Sequence, residues 1–314
     1  MTDDVELRAS RKDMILALAY AGATTLSKED LRTREIIANC PVTIYSAQYN
    51  DWWDCPYTLQ MVQRADQKFR DKSYRYIIDS GFRDPDVGNE DVIEKAVKLN
   101  PDWIVPKDYP GDPEKTANSL RRFADLYDDR GDEFAGRPLI PVQPPHADTF
   151  KQYEHIYEEF SNFAVGGLHY FTSSSAQLGA IREFEEVASP GHLHALGVGT
   201  NLEFVTALRD EPALVDSLDI STPETAVKNN GVPDRTWIQR EFEVPKGINS
   251  SMLRGNLAKY VHLQLCYMLT DFANDENFPG IGDQSALSDF QKEPEERLNL
   301  TNPPRKPGRS QPTA

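Results

Sequence analysis

Short β-rich runs recur along the chain, and amphipathic segments separate most of them. Seven runs end in polar or turn residues, and they lie at 42–49, 74–82, 102–111, 138–148, 163–171, 193–200 and 214–222. Segments between them, such as NEDVIEKAVKLN and PEKTANSLRRFADLYDDR, carry apolar residues at steps of three and four, which is the period of a helix. Strands that alternate with helices predict parallel βα units.

The number of these units favours a closed barrel over an open sheet. Seven or eight units occupy about 230 residues, and no Gly-x-Gly-x-x-Gly turn follows the first run, so we predict an α/β fold, a (β/α)8 TIM barrel. The run TWIQREFEV at 236–244 is the candidate for the eighth strand, and a long helix over 251–272 is expected to close the barrel. The expected domains are an N-terminal segment over 1–41, a barrel over 42–286 and a polar, disordered tail over 287–314.

The net charge of the chain argues against some classes of protein. Asp and Glu number 50 against 34 Lys and Arg, which gives a net charge of −16 and argues against a generally basic nucleic-acid binder. Such acidity is typical of a halophilic, high-salt cytoplasm, where salt screens self-repulsion. The charged N-terminus and the lack of a long apolar run predict a cytoplasmic protein with no membrane contact.

Cysteine and histidine spacing gives no metal site. Cys40, Cys55 and Cys266 form no CxxC or CxC pair, so we predict neither a disulfide framework nor a structural zinc ion. The sequence HLH at 192–194 puts two histidines on one face of a strand, but no third ligand is placed beside them. We therefore expect no metal and no cofactor.

Polar residues and glycines occupy the predicted strand ends. In a parallel barrel the chemistry lies at the C-terminal ends of the strands. Those ends carry Asp79, Asp108, Gln143, Gly166, Gly167 and Asp219, and we expect them to share one mouth. Asp219 stands between two apolar residues in LVDSLDISTPETA, and a helix-capping or surface aspartate is the alternative interpretation.

The order of these motifs resembles the tRNA-guanine transglycosylase family. IIDSGF resembles the family's Asp-Ser-Gly-Gly motif, VPKDYPGDP the archaeal base-recognition strand, and VQ at 142–143 the glutamine strand. FAVGGLHYF resembles the Gly-Gly-Leu strand, while LHALGVGT and VDSLDISTP resemble the Leu-Gly-Val-Gly-Thr strand and the nucleophile strand after it. The six patterns follow the family order over residues 75–223.

Departures from the family pattern point to one branch of it. Phe82 replaces the second glycine, ISTPETAV lacks the Thr-Arg-Asn that follows the family nucleophile, and the cysteine-rich zinc site and C-terminal RNA-binding domain are missing. The chain is thus most similar to the DNA-acting branch of phages, archaeal viruses and genomic islands, which replaces guanine in DNA by a 7-deazaguanine. That resemblance implies DNA and a 7-deazaguanine base as partners, a possible homodimer and, for a viral protein, the host cytoplasm.

The resemblance also implies roles for the strand-end residues. Asp219 would be the nucleophile at C1′, since a carboxylate suits an oxocarbenium-like transition state, and Asp79 the general acid/base. The expected base-binding residues are Asp108, Gln143, Gly166, Gly167, Leu168 and, for stacking, Phe82 and Tyr109. The alternatives are a turn aspartate for Asp79, loop polar residues for Asp108 and Gln143, a strand-end bulge for the glycine pair and core packing for the rings.

Three other functions compete with DNA-guanine exchange by this pentosyltransferase chemistry. A tRNA-guanine transglycosylase would use the same residues, but the missing zinc site and RNA-binding domain argue against it. A non-catalytic barrel subunit would have no need of both Asp79 and Asp219. A retaining glycoside hydrolase would need two carboxylates about 5 Å apart and a cleft for sugars.

Overall fold

The computed structural model describes residues 37, 40–48, 50, 53–228, 258, 259, 261, 262, 265, 266 and 269. The predicted eighth strand at 236–244 and the predicted tail over 287–314 lie outside the described residues, as does nearly all of the N-terminal segment.

Nine parallel strands form one sheet. They are β1 (Thr43–Ala47), β2 (Tyr57–Met61), β3 (Arg75–Asp79), β4 (Trp103–Ile104), β5 (Arg137–Pro138), β6 (Ile140–Val142), β7 (Asn162–Val165), β8 (His192–Ala195) and β9 (Ser217–Ile220). The sheet order is β5-β4-β3-β2-β1-β9-β8-β7-β6. Only Leu139 separates the two outer strands, so β5 and β6 act as one strand that joins the two edges of the sheet. The predicted α/β TIM-barrel fold is confirmed.

Helices follow most of the strands. They are α1 (Gln67–Lys72), α2 (Asn89–Leu99), α3 (Pro113–Arg130), α4 (His146–Gln152), α5 (Glu154–Tyr157), α6 (Ser174–Ala188), α7 (Leu202–Leu208) and α8 (Thr222–Lys228). Local sequence explains where α3 begins, because the Asp112 side chain accepts the Lys115 amide hydrogen at 2.9 Å and Pro113 occupies the first turn. The two predicted amphipathic segments form α2 and α3.

The strand β2 was not predicted from the sequence. It pairs in parallel with β1 and β3 and fills the place between them. Residues 48–56 join β1 to β2, and the described part of this short connection contains no helix. The expected alternation of strand and helix fails here, so that alternation could not locate β2.

Two predicted strands are shorter in the structure. The run over 138–148 ends its ladder at Val142, and α4 begins at His146. Pro144 and Pro145 explain this end, because proline has no amide hydrogen to donate to a ladder. In the run over 102–111 only Trp103 and Ile104 pair as a strand, and the chain then turns across the mouth.

Large side chains fill the N-terminal end of the barrel. The rings of Trp103 in β4 and His192 in β8 stack with centroids 4.7 Å apart, although these strands are not neighbours. Both side chains therefore point into the barrel. The Arg137 guanidinium lies 4.4 Å from the Trp103 ring centroid and completes this layer, which leaves the opposite, C-terminal end as the mouth.

Parts of the predicted C-terminal helix can be described. Residues 258, 259, 261, 262, 265 and 266 are helical, within the helix expected over 251–272. Val261, Leu265 and Leu269 are buried in the same hydrophobic core as the strands. Across the described residues, no helix combines the length and the hydropathy needed to cross a membrane.

Candidate functional site

Three buried carboxyl groups converge on the barrel mouth. Asp79 is the last residue of β3, Asp219 lies near the end of β9, and Asp108 follows β4. Each is almost fully buried, with 7%, 6% and 3% of its surface exposed. Burial, followed by the charges of Asp108 and Asp219, raises the pKa of Asp79 to about 8. At neutral pH Asp79 therefore retains a proton, which it can give away or take back.

Asp79 also has the turn contacts of the alternative interpretation. Its carboxyl group accepts hydrogen bonds from the backbone N–H groups of Ser80 and Gly81, and these bonds lower its pKa. Burial and the two neighbouring acids outweigh them. Asp79 thus closes the turn after β3 and at the same time places a proton donor at the mouth.

Asp108 and Gln143 form one hydrogen-bonded unit. Ser80 Oγ donates to Asp108 Oδ1 at 2.6 Å, and Gln143 Nε2 donates to Asp108 Oδ2 at 3.0 Å. The Gly111 amide donates to Gln143 Oε1 at 3.3 Å, which holds the amide group in place. Burial raises the pKa of Asp108, while the hydrogen bonds and the nearby Lys107 charge oppose that rise. The pair presents a fixed acceptor and a fixed amide to the mouth.

Asp219 is held by its Oδ1 atom. That atom accepts the Gly197 amide hydrogen at 2.6 Å and lies 3.3 Å from His194 Nε2. Among the described residues no hydrogen bond reaches Oδ2. Asp219 lies inside β9 and caps no helix, so the capping interpretation fails. Oδ1 fixes the carboxylate, and Oδ2 has no hydrogen-bond partner among the described residues.

The Gly166-Gly167 pair brings the backbone close to the Gln143 region. Gly167 has φ +65°, a left-handed conformation that side chains with a Cβ rarely adopt. A Cβ at Gly167 would lie 2.8 Å from Pro144 Cδ, so a larger residue would collide with the proline ring. Leu168 is buried directly after this turn, and its carbonyl accepts a hydrogen bond from Gln177 Nε2 at 2.8 Å.

Three aromatic rings lie on the loops around the mouth. Phe82 is 39% exposed, with the Arg83 guanidinium 5.4 Å from its ring centroid. Tyr109 is partly buried, and the Lys115 ammonium lies 3.9 Å from its ring centroid. Core packing is therefore excluded for Phe82 but not for Tyr109. The sequence did not single out the third ring, that of Tyr170, which is 54% exposed.

Tyr170 was missed because the run 163–171 was interpreted as one strand. In the structure the strand ends at Val165, and Leu168–Tyr170 form a short 3-10 helix in the loop that follows. The Tyr170 hydroxyl lies 3.2 Å from the position that a Cβ on Gly111 would take. Two mouth loops therefore meet at this tyrosine.

A small cavity lies between the loops that follow β7 and β8. Leu168, Gly197, Asn201 and Phe204 are among the residues that line it. Gly197 also donates its amide hydrogen to Asp219, but Asp79, Asp108 and Asp219 do not line the cavity themselves.

Histidine and lysine residues around the mouth were not assigned roles from the sequence. His194 contacts Asp219, whereas the HLH motif had been considered only as a metal ligand. Lys107 Nζ donates to the Asp84 carbonyl at 2.7 Å and ties down the loop after β3. Within the described ranges, no group of three or more His, Cys, Asp or Glu side chains is arranged to hold a metal ion.

Fold and mouth define a TIM-barrel protein with a buried acidic site. No protein-family model matches the chain, and no curated protein matches it. Among solved structures, the YdjI aldolase from Escherichia coli K12 is 9% identical with a TM-score of 0.48, covering 79% of this chain and 97% of that chain. N-acetylneuraminate lyase from Mycoplasma synoviae is 12% identical with a TM-score of 0.32, covering 92% and 87%. Likenesses of this size do not extend to activity.

Proposed function

We propose that the chain is a DNA-guanine transglycosylase that exchanges guanine in DNA for a 7-deazaguanine base. The motif order over residues 75–223 resembles that family. The observation that carries the proposal is the contrast between two neighbouring acids: Asp79 has a pKa of about 8, and Asp219 has one anchored oxygen and one oxygen without a partner among the described residues. Base exchange needs one proton carrier and one nucleophile.

The reaction divides between these two groups. Asp219 attacks C1′ of the target deoxyguanosine, the bond from C1′ to the guanine nitrogen breaks, and Asp79 gives its proton to the departing base. The product of this step is a glycosyl ester on Asp219, as in retaining glycosidases. Asp79 then takes a proton from the ring nitrogen of the 7-deazaguanine, which attacks C1′ and releases the Asp219 carboxylate. Atoms and protons balance over the cycle.

The Asp108–Gln143 unit supports recognition of a guanine edge. An aspartate accepts from the N1–H and the exocyclic amine of guanine, and an amide N–H can donate to O6. Gln143 Nε2 carries two hydrogens and gives one to Asp108, so the second is the donor assigned to the base. Phe82, Tyr109 and Tyr170 are the rings assigned to stacking, because all three lie on mouth loops.

DNA is favoured over tRNA because Cys40, Cys55 and Cys266 do not have the spacing of the cysteine-rich zinc site of the tRNA enzymes. The net charge of −16 repels the DNA phosphates, so binding requires a local basic surface or salt that screens this repulsion. Binding should therefore be tested at several ionic strengths.

The test is base exchange in vitro. Purified protein is incubated with radiolabelled guanine and either duplex DNA, single-stranded DNA or tRNA, and label in the polymer is counted. We expect label in DNA and not in tRNA. Digested DNA from cells that express the chain and make 7-deazaguanines should contain a 7-deazaguanine nucleoside by mass spectrometry. Label in tRNA alone would assign the tRNA activity, and label in neither polymer under low and high salt would reject base exchange.

A further inference from the structure

A chain of polar groups runs through the barrel interior behind Asp219. His192 Nε2 lies 2.8 Å from Ser217 Oγ, and Ser217 Oγ lies 2.8 Å from His194 Nδ1. His194 Nε2 lies 3.3 Å from Asp219 Oδ1. At the other end, His192 Nδ1 lies 4.0 Å from Asp216 Oδ2. The four contacts connect a carboxylate at the start of β9 with the candidate nucleophile at the mouth.

These hydrogen-bonded groups occupy interior positions that barrels normally fill with Val, Ile or Leu. Ser217 and His194 are fully buried, and the His194 ring packs edge-on against Tyr45 with centroids 5.9 Å apart. A buried polar group without a partner is costly, so every hydrogen in this chain needs a matching acceptor.

Matching donors to acceptors gives the chain a direction. Asp219 Oδ1 is an acceptor, so His194 Nε2 carries a hydrogen and donates it. In an uncharged ring Nδ1 is then a lone pair, and the Ser217 hydroxyl donates to it. Ser217 Oγ in turn accepts the Nε2 hydrogen of His192. Between His192 Nε2 and Asp219 Oδ1, each hydrogen then has one acceptor.

We infer that His194 is a positioning residue for Asp219. Ser217 fixes the tautomer of His194 that carries its hydrogen on Nε2. That hydrogen anchors Asp219 Oδ1, so that Asp219 Oδ2 faces the sugar. This inference deepens the proposed function and rests on it for the role of Asp219. The Gly197 amide supplies the second anchor on the same oxygen. Together they hold the carboxylate in one orientation before substrate arrives, which is what a nucleophile needs to attack in line.

The tautomer can be measured without any substrate. The chain has six histidines, so ¹⁵N labelling of histidine and long-range ¹H–¹⁵N correlation at pH 7.5 give few signals, and His194→Gln identifies the one from His194. We expect the ring hydrogen on Nε2 and none on Nδ1, and a mixture of tautomers in Ser217→Ala. A hydrogen on Nδ1, or a doubly protonated ring, in the unsubstituted protein would overturn the inference.

Two matched variants test the effect on catalysis. In His194→Gln the side-chain amide can place its NH2 where Nε2 was, so the anchor on Asp219 survives. In His194→Asn the shorter side chain reaches Ser217 but not Asp219. We expect kcat to fall about 10- to 100-fold in His194→Asn with KM within about threefold, and His194→Gln to recover most of it. Equal losses in both variants, or none in either, would count against positioning by His194.

The two measurements separate this inference from the proposed function. If the unsubstituted protein exchanges no base, the proposed function fails, while the NMR result still decides whether the hydrogen-bond chain has the inferred direction. If exchange occurs and the ring carries its hydrogen on Nδ1, only the inference about His194 fails.

Discussion

At the scale of single residues, Asp79 and Asp219 are similar in burial but differ in their partners. Asp79 lies among acids and carries a proton at neutral pH, because its pKa is raised to about 8. Asp219 accepts hydrogens from Gly197 and faces His194. Asp79 and Asp219 therefore have different surroundings although both are buried. Such a difference is typical of a pair in which one carboxyl group carries a proton and the other is the nucleophile.

Replacing Asp219 by asparagine tests the nucleophile. The two side chains are nearly isosteric, and Asn Oδ1 can still accept the Gly197 amide hydrogen, so the fold should persist. A neutral amide cannot form the glycosyl ester, and exchange should fall by about three orders of magnitude or more, each tenfold being about 1.4 kcal/mol of barrier. The unsubstituted protein should form a denaturation-resistant adduct with guanine-containing DNA, visible on a denaturing gel, and Asp219→Asn should not.

Asp129→Asn is the matched control, because this exposed residue lies in the last turn of α3. It loses the same charge and should exchange guanine at the unsubstituted rate. Near-normal exchange by Asp219→Asn would make Asp219 a structural residue and would move the search for the nucleophile to the other mouth acids.

The pKa of Asp79 predicts how activity and stability depend on pH. The proton needed by the departing guanine is present below about pH 8, so guanine displacement should slow as pH rises above that value. Stability should follow the same direction. A carboxyl group with a raised pKa in the folded state binds its proton more tightly there than in the unfolded chain. The contribution of Asp79 to stability is therefore fully present below about pH 4 and is lost as pH rises toward 8.

Urea unfolding at pH 5 and pH 8.5 measures this decline. Asp79→Asn removes the titrating group, so the variant should lose less stability than the unsubstituted protein between these two values, by a difference on the order of a few kcal/mol. Identical pH dependence in both proteins would show that Asp79 is ionised throughout.

Residue positions were predictable where a strand ended in a polar group. Asp79, Asp108, Gln143 and Asp219 were all placed at one mouth from strand ends and motif order, and the structure brings them together. The partners of Asp219 were not predictable, because Gly197 and His194 reach it through pairing between β8 and β9, which no local pattern reveals.

At the scale of elements, sequence periodicity found β1 and the strands that a helix separates from the preceding strand. It missed β2, which follows β1 with no helix in the described part of the connection. Its residues, YTLQM, are as strand-like as those of β1. The candidate eighth strand at 236–244 lies outside the described residues and stays a prediction. Strand ends were also overestimated, since the β-rich runs continue into the mouth loops. Those loop segments carry Asp108, Gln143 and Tyr170.

The turn after β7 gives a prediction at this scale. Gly167→Ala forces a side chain into a left-handed conformation and places its Cβ 2.8 Å from Pro144 Cδ, and the proline ring cannot swing away. We expect a loss of about 1 to 3 kcal/mol in the free energy of unfolding, measured with urea. Gly179→Ala, in the middle of α6 with no atom within 4 Å of the new Cβ, is the control. It should gain about 0.5 to 1 kcal/mol, since alanine favours a helix.

A loss in both glycine variants would indicate general sensitivity of this part of the barrel. A neutral result for Gly167→Ala would mean that the loop moves to accept the methyl group, in which case exchange activity should change with it.

At the scale of the whole molecule, acidic side chains outnumber basic ones by 16, so the negative charges repel one another across the protein surface. The helix α3 shows the effect locally, because exposed Asp125 lies three residues before Asp128 and four before Asp129, at the helix end where the dipole is already negative. Ion pairs such as Arg182–Glu211, with Nε 2.7 Å from Oε2, offset only part of this. The surface is therefore suited to a medium that screens charge.

The last prediction is that salt stabilises this protein and that one substitution weakens the dependence. Raising KCl to about 1 M shortens the Debye length to about 3 Å, so Tm should rise as repulsion between surface acids is screened.

Asp128→Lys removes a nearby like charge and complements the helix dipole, so it should add about 0.5 to 1 kcal/mol to the free energy of unfolding at low salt and much less at 1 M. Glu211→Gln, which breaks the pair with Arg182, should have the opposite sign at low salt. Scanning calorimetry at both salt concentrations measures all three proteins. A Tm of the unsubstituted protein that is unchanged or falls with KCl would mean that its acids are already compensated, and the high-salt origin inferred from the composition would be wrong.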